Sequence, residues 1–313
     1  MIMKKVAVLG SYVADLMAVA PHLPSEGETV KGKSFRIGPG GKGFNQAVSC
    51  RKAGSEVRFS TKLGRDAFGK MALDFLSDTG IPDDFVFISE SEPSGAALIG
   101  VEGGTGKNAI IVVSGACGTF DEHDFELLDV FLEGVDYLLL QLEINLDADL
   151  EVIDRAYRKG VKVILNPAPA EPIPKEYYSK LYLVTPNETE AAALTGLGRI
   201  DRGNCRKAAE YMQALGVGNV VITLGCEGAY LNESGEERFF HNYDVPVVDT
   251  TGAGDAFNGG LLAALGKGKS LEEACLYAQV VANLAVTKTG TAPAMPDQAA
   301  IDKFIEENNI GRL

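Results

Sequence analysis

The chain has 313 residues and a formal net charge of −14 at neutral pH, from 43 acidic and 29 basic side chains. It carries no basic patch interleaved with aromatic residues, which argues against nucleic acid and anionic membrane surfaces as partners. The length is sufficient for one large α/β domain or two smaller ones.

Cysteine usage indicates a reducing, cytoplasmic location. The cysteines are odd in number, far apart and without a C-x-x-C pair, which predicts reduced core thiols. They are Cys50, Cys117, Cys205, Cys226 and Cys275. The apolar run within residues 1–10 is too short for a signal peptide, and no run approaches the length of a membrane span. The three histidines lack the spacing of metal ligands.

The first half of the chain mixes regular elements with two stretches that lack helical patterns. Two strands and two helices are predicted there, at residues 5–9, 43–53, 57–61 and 66–79. Residues 11–40 and 85–113 consist of short strands and turns instead. We interpret these two stretches as a small β lid inserted in the first half of the fold.

From residue 121 onward, apolar strands and helices alternate regularly. Strands are predicted at residues 137–141, 161–165, 181–185 and 220–224. Helices are predicted at residues 147–159, 187–195, 201–215, 256–265, 271–286 and 297–307. Such alternation predicts a parallel sheet with helices on both faces.

Polar residues recur where the predicted strands stop. These positions are Gln141 to Glu143, Asn166, Thr185 to Glu188, Thr223 and Asp249. Ligands of parallel sheets bind at the carboxyl ends of the strands, so we expect the functional site at this edge.

A turn of small residues at residues 249–254 follows an apolar run at residues 245–248 and opens a helix. The unpaired N–H groups and the dipole at a helix N-terminus bind anions, most often phosphate. Gly252 and Gly254 let the backbone approach such an anion closely. Asp255 is either a general base that deprotonates an attacking hydroxyl or a helix cap. Asp249 is either functional or a strand-end residue.

Two glycine-containing stretches resemble nucleotide motifs only superficially. Residues 38–43 match G-x-G-x-x-G, but the preceding segment is hairpin-like and no acidic residue ends the next strand, which argues against a dinucleotide site. The stretch instead predicts a glycine-lined wall for a small polar ligand, with Lys42 and Asn45 as donors, or a tight turn before a helix. Residues 106–108 lack the first glycine and the hydroxyl of a Walker A loop, which we reject.

Two further segments each allow two interpretations. Asn187 and Glu190 lie one turn apart and could order Mg²⁺ through water, or they could form a capping box. Residues 223–228 could cradle phosphates with backbone N–H groups, or they could be a plain turn between strands.

Together these motifs resemble the ribokinase branch of the PfkB carbohydrate kinases over essentially the whole chain. Residues 40–47 (Gly-Gly-Lys-Gly-Phe-Asn-Gln-Ala) and 249–257 (Asp-Thr-Thr-Gly-Ala-Gly-Asp-Ala-Phe) are similar to the two family signatures. Residues 166–170 and 185–190 resemble ribokinase in particular. The resemblance implies a three-layer α/β/α fold with a mainly parallel sheet and a small β-sheet lid. Residues 1–313 would be a single kinase domain, dimeric through the lid.

The resemblance also implies ATP-dependent phosphorylation of a pentose, foremost D-ribose. Asp255 would be the base, and Gly252, Ala253 and Gly254 would form the anion hole. The matching sugar-binding positions are Val13, Asp15, Gly41, Lys42, Asn45, Glu143 and Asp255. The nucleotide would contact Asn187, Thr223, Gly225, Gly228, Gly254 and Asn283.

The implied cations are Mg²⁺ and an activating K⁺. Glu190, with Asn187, matches an element linked to Mg²⁺ and phosphate. The K⁺ positions are Asp249, Thr251, Ala285, Lys288 and Gly290. Ala294 stands where a hydroxyl often assists, so the K⁺ dependence is expected to be weaker.

One departure from the family pattern concerns the sugar. The pattern near the N-terminus is typically Asn-x-Asp, whereas this chain has Val13-Ala14-Asp15. Valine cannot bond a sugar hydroxyl, and one unpaired group in such a site costs roughly 1–3 kcal/mol. The alternatives are therefore a kinase for a nucleoside, a ketohexose or a modified pentose, and a sugar-sensing protein on a kinase scaffold.

Overall fold

The computed structural model describes residues 3–311. The two residues at each end of the predicted 1–313 domain, Met1, Ile2, Arg312 and Leu313, lie outside this range. In chain order the strands are β1 Val6–Leu9, β2 Val13–Ala20, β3 Ser34–Gly40, β4 Val57–Gly64, β5 Val86–Ser89, β6 Ser94–Glu102, β7 Asn108–Gly115, β8 Tyr137–Leu140, β9 Lys162–Leu165, β10 Leu181–Val184, β11 Asn219–Thr223, β12 Ala229–Glu233 and β13 Glu236–Phe240. The helices are α1 Lys42–Lys52, α2 Ala67–Thr79, α3 Glu122–Phe131, α4 Leu146–Arg158, α5 Lys175–Tyr178, α6 Glu188–Thr195, α7 Cys205–Ala214, α8 Ala253–Gly266, α9 Leu271–Ala285 and α10 Gln298–Glu307.

A large sheet within residues 3–311 has the strand order β13-β12-β11-β10-β9-β8-β1-β4-β5. Its strands run parallel from β11 to β5, and only β12 and β13 pair in the antiparallel sense. The central strands β1 and β8 are buried along their whole length. Apolar strands of this kind need cover on both faces, which explains the helical pattern between them. The predicted mainly parallel α/β fold is confirmed.

A smaller sheet has the strand order β3-β2-β6-β7. β2 pairs with β3 in the antiparallel sense and with β6 in the parallel sense, and β6 and β7 form a hairpin. β3 ends at Gly40 and α1 begins at Lys42, so one residue joins this sheet to the first helix. The smaller sheet therefore lies directly beside the N-terminus of α1.

One strand within residues 85–113 belongs elsewhere than predicted. β5 pairs in parallel with β4 at the edge of the large sheet, not with the smaller sheet. Phe85, Val86 and Phe87 are half-buried and pack against the main core. Burial of these side chains explains the placement, and the smaller sheet uses only the later part of the stretch.

Asp249 was predicted to stand at the end of a strand, and this prediction is wrong. Residues 245–248 form no strand within the described chain, and Val247 and Val248 are 64% and 60% exposed. The N–H groups of Val248 and Asp249 donate to the carbonyl oxygen of Val286 instead. Asp249 therefore follows a surface loop rather than a sheet strand, and Pro246 within the run lacks the N–H group that a sheet ladder needs. Among residues 3–311, no helix has both the length and the apolar character that a membrane crossing requires.

One fully buried carboxylate in the large core has no hydrogen-bond partner among the described residues. Asp149, in the first turn of α4, has 0% exposure, and neither of its oxygens finds a hydrogen-bond partner within residues 3–311. Burial, and secondarily the Glu171 carboxylate, raises the pKa of Asp149 well above its usual value. The folded state therefore resists ionisation of this side chain.

We expect Asp149→Asn to stabilise the protein by roughly 1–3 kcal/mol near pH 8, because it removes a buried ionisable group. A raised carboxyl pKa lowers the free energy of unfolding as the pH rises above the unfolded-state value, so the advantage grows between about pH 5 and about pH 8. Urea denaturation across this range measures it. The control is Asp147→Asn, an exposed position in the same helical turn. Equal effects of the two variants at every pH would contradict the assignment.

Candidate functional site

Two adjoining cavities lie at the carboxyl ends of the parallel strands. The inner cavity has a volume of about 160 Å³ and the outer cavity about 630 Å³. The inner cavity is lined by residues that include Lys42, Asn166, Asn187, Glu190, Gly252 and Asp255. The two share Asn187, Thr223, Thr250, Ala253 and Gly254 as lining residues. The strand-end location predicted from the sequence is therefore where the structure has its concave surface.

The predicted anion site forms part of the inner cavity. Gly252 precedes α8 with φ 78°, a left-handed conformation that glycine adopts without strain. Gly252, Ala253 and Gly254 all line the inner cavity. A Cβ built on Gly254 would meet nothing within 4 Å, so its backbone faces open space. The N-terminus of α8 presents the positive end of the helix dipole to this space, and the Ala253 N–H donates to the Thr250 carbonyl oxygen at 3.2 Å.

Asp255 is held by two side-chain amides from α1. Asn45 Nδ2 donates to Oδ2 at 2.9 Å, and Gln46 Nε2 donates to Oδ1 at 2.9 Å. The carboxylate is thus engaged across the α1–α8 interface, and it is not the cap of α8. Burial raises the pKa of Asp255, although Lys42 and both amides oppose the rise. A fixed carboxylate with a raised pKa is suited to proton abstraction.

A chain of buried amides lies behind Asp255. Gln141 Nε2 donates to Gln46 Oε1 at 2.7 Å, and Gln46 Nε2 also donates to Asn166 Oδ1 at 3.0 Å. Asn166 Nδ2 in turn donates to the carbonyl oxygen of Thr185 at 3.0 Å. The network joins three strand ends to α1 and fixes the orientation of the Gln46 amide.

Lys42 supplies positive charge to the inner cavity. Burial would lower the pKa of its ammonium, but the carboxylates of Asp255, Glu143 and Glu190 outweigh burial and raise it. Lys42 and the N-terminus of α8 line the same cavity. The cavity therefore has two sources of positive potential around one carboxylate.

The predicted sugar-binding residues gather around the N-terminus of α1. Gly41 is the residue before α1, with φ 91°, and a Cβ there would lie 2.8 Å from the nitrogen of Val13. Glu143 Oε2 accepts from Ser11 Oγ at 2.5 Å and from the Lys42 N–H at 2.9 Å. Asn45 Oδ1 is buried without a hydrogen-bond partner among the residues described.

Val13 and Asp15 project from the same face of β2, because side chains alternate along a strand. Thr291 Oγ1 donates to Asp15 Oδ2 at 3.5 Å, which connects the smaller sheet to the main body. Burial, with the Glu143 and Asp255 carboxylates, raises the pKa of Asp15 to about 6 against the effect of Thr291. Val13 is 5% exposed and presents only methyl groups.

The outer cavity brings together all the positions predicted to bind nucleotide. They are Asn187, Thr223, Gly225, Gly228, Gly254 and Asn283. Asn283 uses its side chain within the protein, since Oδ1 accepts from the Tyr243 N–H and Nδ2 donates to the Gln279 carbonyl. Gln279, one turn earlier on α9, lines the same cavity, and its Oε1 has no partner within residues 3–311. The sequence prediction therefore missed the side chain on this helix with a free acceptor.

The interpretation of Asn187 and Glu190 as a capping box is correct for this structure. Asn187 Oδ1 accepts from the Glu190 N–H at 2.9 Å, and Glu190 Oε2 accepts from the Asn187 N–H at 2.9 Å. Both residues also line the inner cavity. Burial raises the pKa of Glu190 although the Asn187 N–H and Lys42 oppose it. The cap thus holds a carboxylate at the cavity wall.

Three of the predicted K⁺ positions meet at one carboxylate. Asp249 Oδ1 accepts from the Thr251 N–H at 2.9 Å, and Oδ2 accepts from the Gly290 N–H at 3.0 Å. Partial burial would raise the pKa of Asp249, but the bonds from Gly290 and Thr251 lower it. The carbonyl oxygen of Ala285 accepts from the Lys288 N–H at 3.2 Å. No cluster of three histidine, cysteine or carboxylate side chains suited to a metal occurs in residues 3–311.

Several site residues were not assigned from the sequence. They are Ser11, Gln46, Asn166, Thr185, Asn258, Gln279 and Thr291. Asn166 and Thr185 had a signal as polar strand ends, and Gln46 had one as part of residues 40–47. Asn258, which accepts from Thr185 Oγ1 at 2.6 Å, stands in the interior of α8 and had none.

The chain was compared with protein families, characterised proteins and solved structures. Residues 3–298 match the family described as pfkB family carbohydrate kinase. The chain is 36% identical over 303 residues to ribokinase of Haemophilus influenzae, covering 97% of this chain and 99% of that protein. It is 33% identical over 304 residues to deoxyribokinase of Salmonella typhi, with the same coverages. The structure of Arabidopsis thaliana ribokinase complexed with ribose and ATP matches with a TM-score of 0.89 and 33% identity, covering 97% of this chain and 99% of that one.

We expect Gln46→Leu to remove one donor from Asp255 and to raise the pKa of this carboxyl further. Because a base must be ionised, the acidic limb of the pH profile of kcat/KM for phosphoryl transfer would move up by about one pH unit. At pH values on this acidic limb, activity would fall by about 10-fold. The control is Ser49→Ala, which loses a bond to the Ala256 carbonyl in the same helix interface but leaves both donors to Asp255. The role of Gln46 as a donor to Asp255 would be contradicted if the acidic limb moved equally in both variants. It would also be contradicted if the limb did not move in Gln46→Leu.

Proposed function

Because the chain belongs to the pfkB family of carbohydrate kinases, we propose that it transfers the γ-phosphoryl group of ATP to the hydroxymethyl oxygen of a pentose, with D-ribose converted to D-ribose 5-phosphate. The observation that carries this proposal is the Asp255 carboxylate, held by two amides at the N-terminus of α8 beside the inner cavity. The ribokinase relatives support D-ribose as the acceptor.

The proposed roles follow from charge and position. Asp255 accepts the proton of the attacking hydroxyl. The backbone N–H groups of Gly252, Ala253 and Gly254 stabilise the charge on the transferred phosphoryl group, with the Lys42 ammonium opposite. A general base contributes about 10²–10⁴-fold. Positioned donors that act where charge develops supply a further, larger electrostatic term.

The sugar is proposed to lie between the smaller sheet and the N-terminus of α1. Asp15 and Glu143 offer carboxylate oxygens to sugar hydroxyls. Asn45 Oδ1 is a buried acceptor that lacks a protein partner in the described residues, so a hydroxyl donor satisfies it. Gly41 lets the N-terminus of α1 pack closely against residues 11–13, since a side chain at this position would collide with their backbone.

The nucleotide is proposed to occupy the outer cavity, with Asn187, Thr223, Gly225, Gly228, Gly254 and Asn283 around it. A volume of about 630 Å³ fits a nucleotide-sized ligand, and the unpaired Gln279 Oε1 offers an acceptor. Glu190 fits Mg²⁺ held through water, since its carboxylate lines the inner cavity. When bound, Mg²⁺ neutralises charge on the phosphates.

A monovalent cation such as K⁺ is proposed near Asp249, with the backbone of Thr251, Ala285, Lys288 and Gly290. Asp249 is suited to bind a cation, because its lowered pKa keeps the carboxylate ionised. Ala294 contributes no hydroxyl, so we propose activation rather than strict dependence. The cytoplasm is the proposed compartment, consistent with five free cysteines.

The smaller sheet is proposed to act as a lid over the sugar and to pair with the lid of a second copy. Register places Ile37, Leu16, Leu98 and Ile111 in one row across the sheet. This row faces away from Asp15, and Ile37, Leu98 and Ile111 are more than half exposed. An apolar face of this kind is typical of a protein interface.

A second candidate acceptor is a pentose that lacks one hydroxyl, such as 2-deoxy-D-ribose. Val13 favours it, because a buried methyl surface cannot pair with a hydroxyl on the face that carries Asp15. The similarity to a deoxyribokinase is consistent with this acceptor.

The test is an ADP-release assay with ATP and Mg²⁺, with and without K⁺, over a panel of sugars and nucleosides. We expect D-ribose to give the highest kcat/KM and Asp255→Asn to lower kcat by about 10²-fold or more while ATP binding persists. A preference for 2-deoxy-D-ribose would favour the second candidate, and Val13→Asn should then shift the preference towards D-ribose. Near-normal turnover by Asp255→Asn would remove Asp255 from the role of base.

We expect Ile111→Glu to weaken self-association at least 10-fold, because it buries a charge in the proposed lid interface. Sedimentation velocity over a concentration series measures the dimer. The matched control is Ile110→Glu, since Ile110 is 52% exposed on the opposite face of β7, compared with 64% for Ile111. A wild-type monomer, or equal effects of both variants, would refute this interface.

A further inference from the structure

The turn between β11 and β12 places a thiol at the wall of the outer cavity. Cys226 lies in a single 3-10 turn, Gly225–Glu227, and is exposed. The turn is fixed at both ends, since the Leu224 N–H donates to the Gly228 carbonyl at 2.8 Å and Asn242 Nδ2 donates to the Gly225 carbonyl at 2.9 Å. Cys226 is a lining residue of the outer cavity.

The other cysteines are not available to reagents in solution. Of the five, all within residues 3–311, Cys226 alone is exposed, whereas Cys50, Cys117, Cys205 and Cys275 are buried. Burial raises the pKa of the Cys50 and Cys275 thiols, which suppresses the reactive thiolate. A thiol reagent added to the native protein is therefore expected to react selectively with Cys226.

A second, independent feature identifies the same cavity as a ligand site. Gln279 is 4% exposed and lines the outer cavity, yet its Oε1 has no hydrogen-bond partner in the described chain. Its Nε2 donates to Asn242 Oδ1, and Asn242 holds the Gly225 carbonyl. A buried acceptor without a protein partner that lines a cavity is available to a donor group on a ligand bound there. Cys226 and this acceptor are therefore linked through Asn242 in one cavity wall.

We propose that Cys226 is a thiol-modification site at which a low-molecular-weight disulfide blocks the nucleotide cavity. The Cys226 thiolate attacks one sulfur of the disulfide, a new S–S bond forms, and the original S–S bond breaks. The second sulfur leaves as a thiolate and takes up the proton that Cys226 released. The attached group then occupies space needed by the nucleotide, and excess free thiol reverses the reaction.

This inference rests on the proposed function, because it requires the nucleotide in the outer cavity. The attached group and the nucleotide compete for the same space, so bound nucleotide also shields Cys226 from the disulfide. Modification and nucleotide binding thus exclude each other, and each can be measured in the presence of the other.

The experiment treats the full-length protein with oxidised glutathione, with and without saturating ATP. Intact-mass spectrometry counts the adducts, and calorimetry and the ADP-release assay report on nucleotide binding and turnover. We expect one adduct, at least a 10-fold slower reaction in the presence of ATP, at least a 10-fold loss of ATP affinity, and recovery with excess thiol. Cys226→Ser should form no adduct and lose none of its own untreated activity.

A matched control moves the thiol away from the cavity. Cys226→Ser combined with Ser179→Cys places an exposed thiol before β10, at the end of the strand opposite the site. This variant should form an adduct without ATP protection and without loss of activity relative to its own untreated rate.

Three outcomes would overturn the inference. One is a wild-type protein that phosphorylates its sugar but forms no adduct at Cys226. Another is an adduct-bearing protein that binds ATP as tightly as before. A wild-type protein that neither binds ATP nor phosphorylates any sugar would refute the proposed function first, and this inference with it.

Discussion

The site depends on the contact between α1 and α8, where two amides hold one carboxylate. Asn45 and Gln46 are adjacent in sequence and bond different oxygens of Asp255. The helices must approach closely for this geometry. A Cβ on Gly259 would lie 2.4 Å from Ser49 Cβ, so a glycine is required at that contact. The pKa, the orientation and the cavity position of Asp255 all follow from this one interface.

Local motifs carried most of the sequence prediction. The alternating strands and helices, the turn before α8 and the strand-end positions other than Asp249 are encoded by neighbouring residues, and the structure has them where predicted. The exceptions depend on distant contacts. β5 was assigned to the lid because its short pattern does not say which sheet it joins. Asn283 was assigned from the family resemblance and Gln279 was missed. Only the packed structure shows that Asn283 bonds within the protein, whereas Gln279 Oε1 has no partner in the described residues.

Two motifs were each interpreted either as a helix cap or as part of a functional site. The two interpretations are compatible for Asn187 and Glu190, but they exclude each other for Asp255. Asn187 and Glu190 form a capping box and also line the inner cavity, since the same bonds that end the helix fix the carboxylate. Asp255 could not serve both purposes, because each of its oxygens is bonded by an amide of α1. The difference lies in geometry: a cap points along its own helix, whereas Asp255 points across to another.

The single residue between β3 and α1 restricts how the length of this chain can vary. An α-helix has about 3.6 residues per turn, so one inserted residue there rotates every side chain of α1 by roughly 100°. Asn45 and Gln46 would then face away from Asp255, and Gly41 has no room for compensation beside residues 11–13. Insertions and deletions in this region must therefore accumulate in the exposed loop between β2 and β3, which contacts no part of either cavity in the described chain.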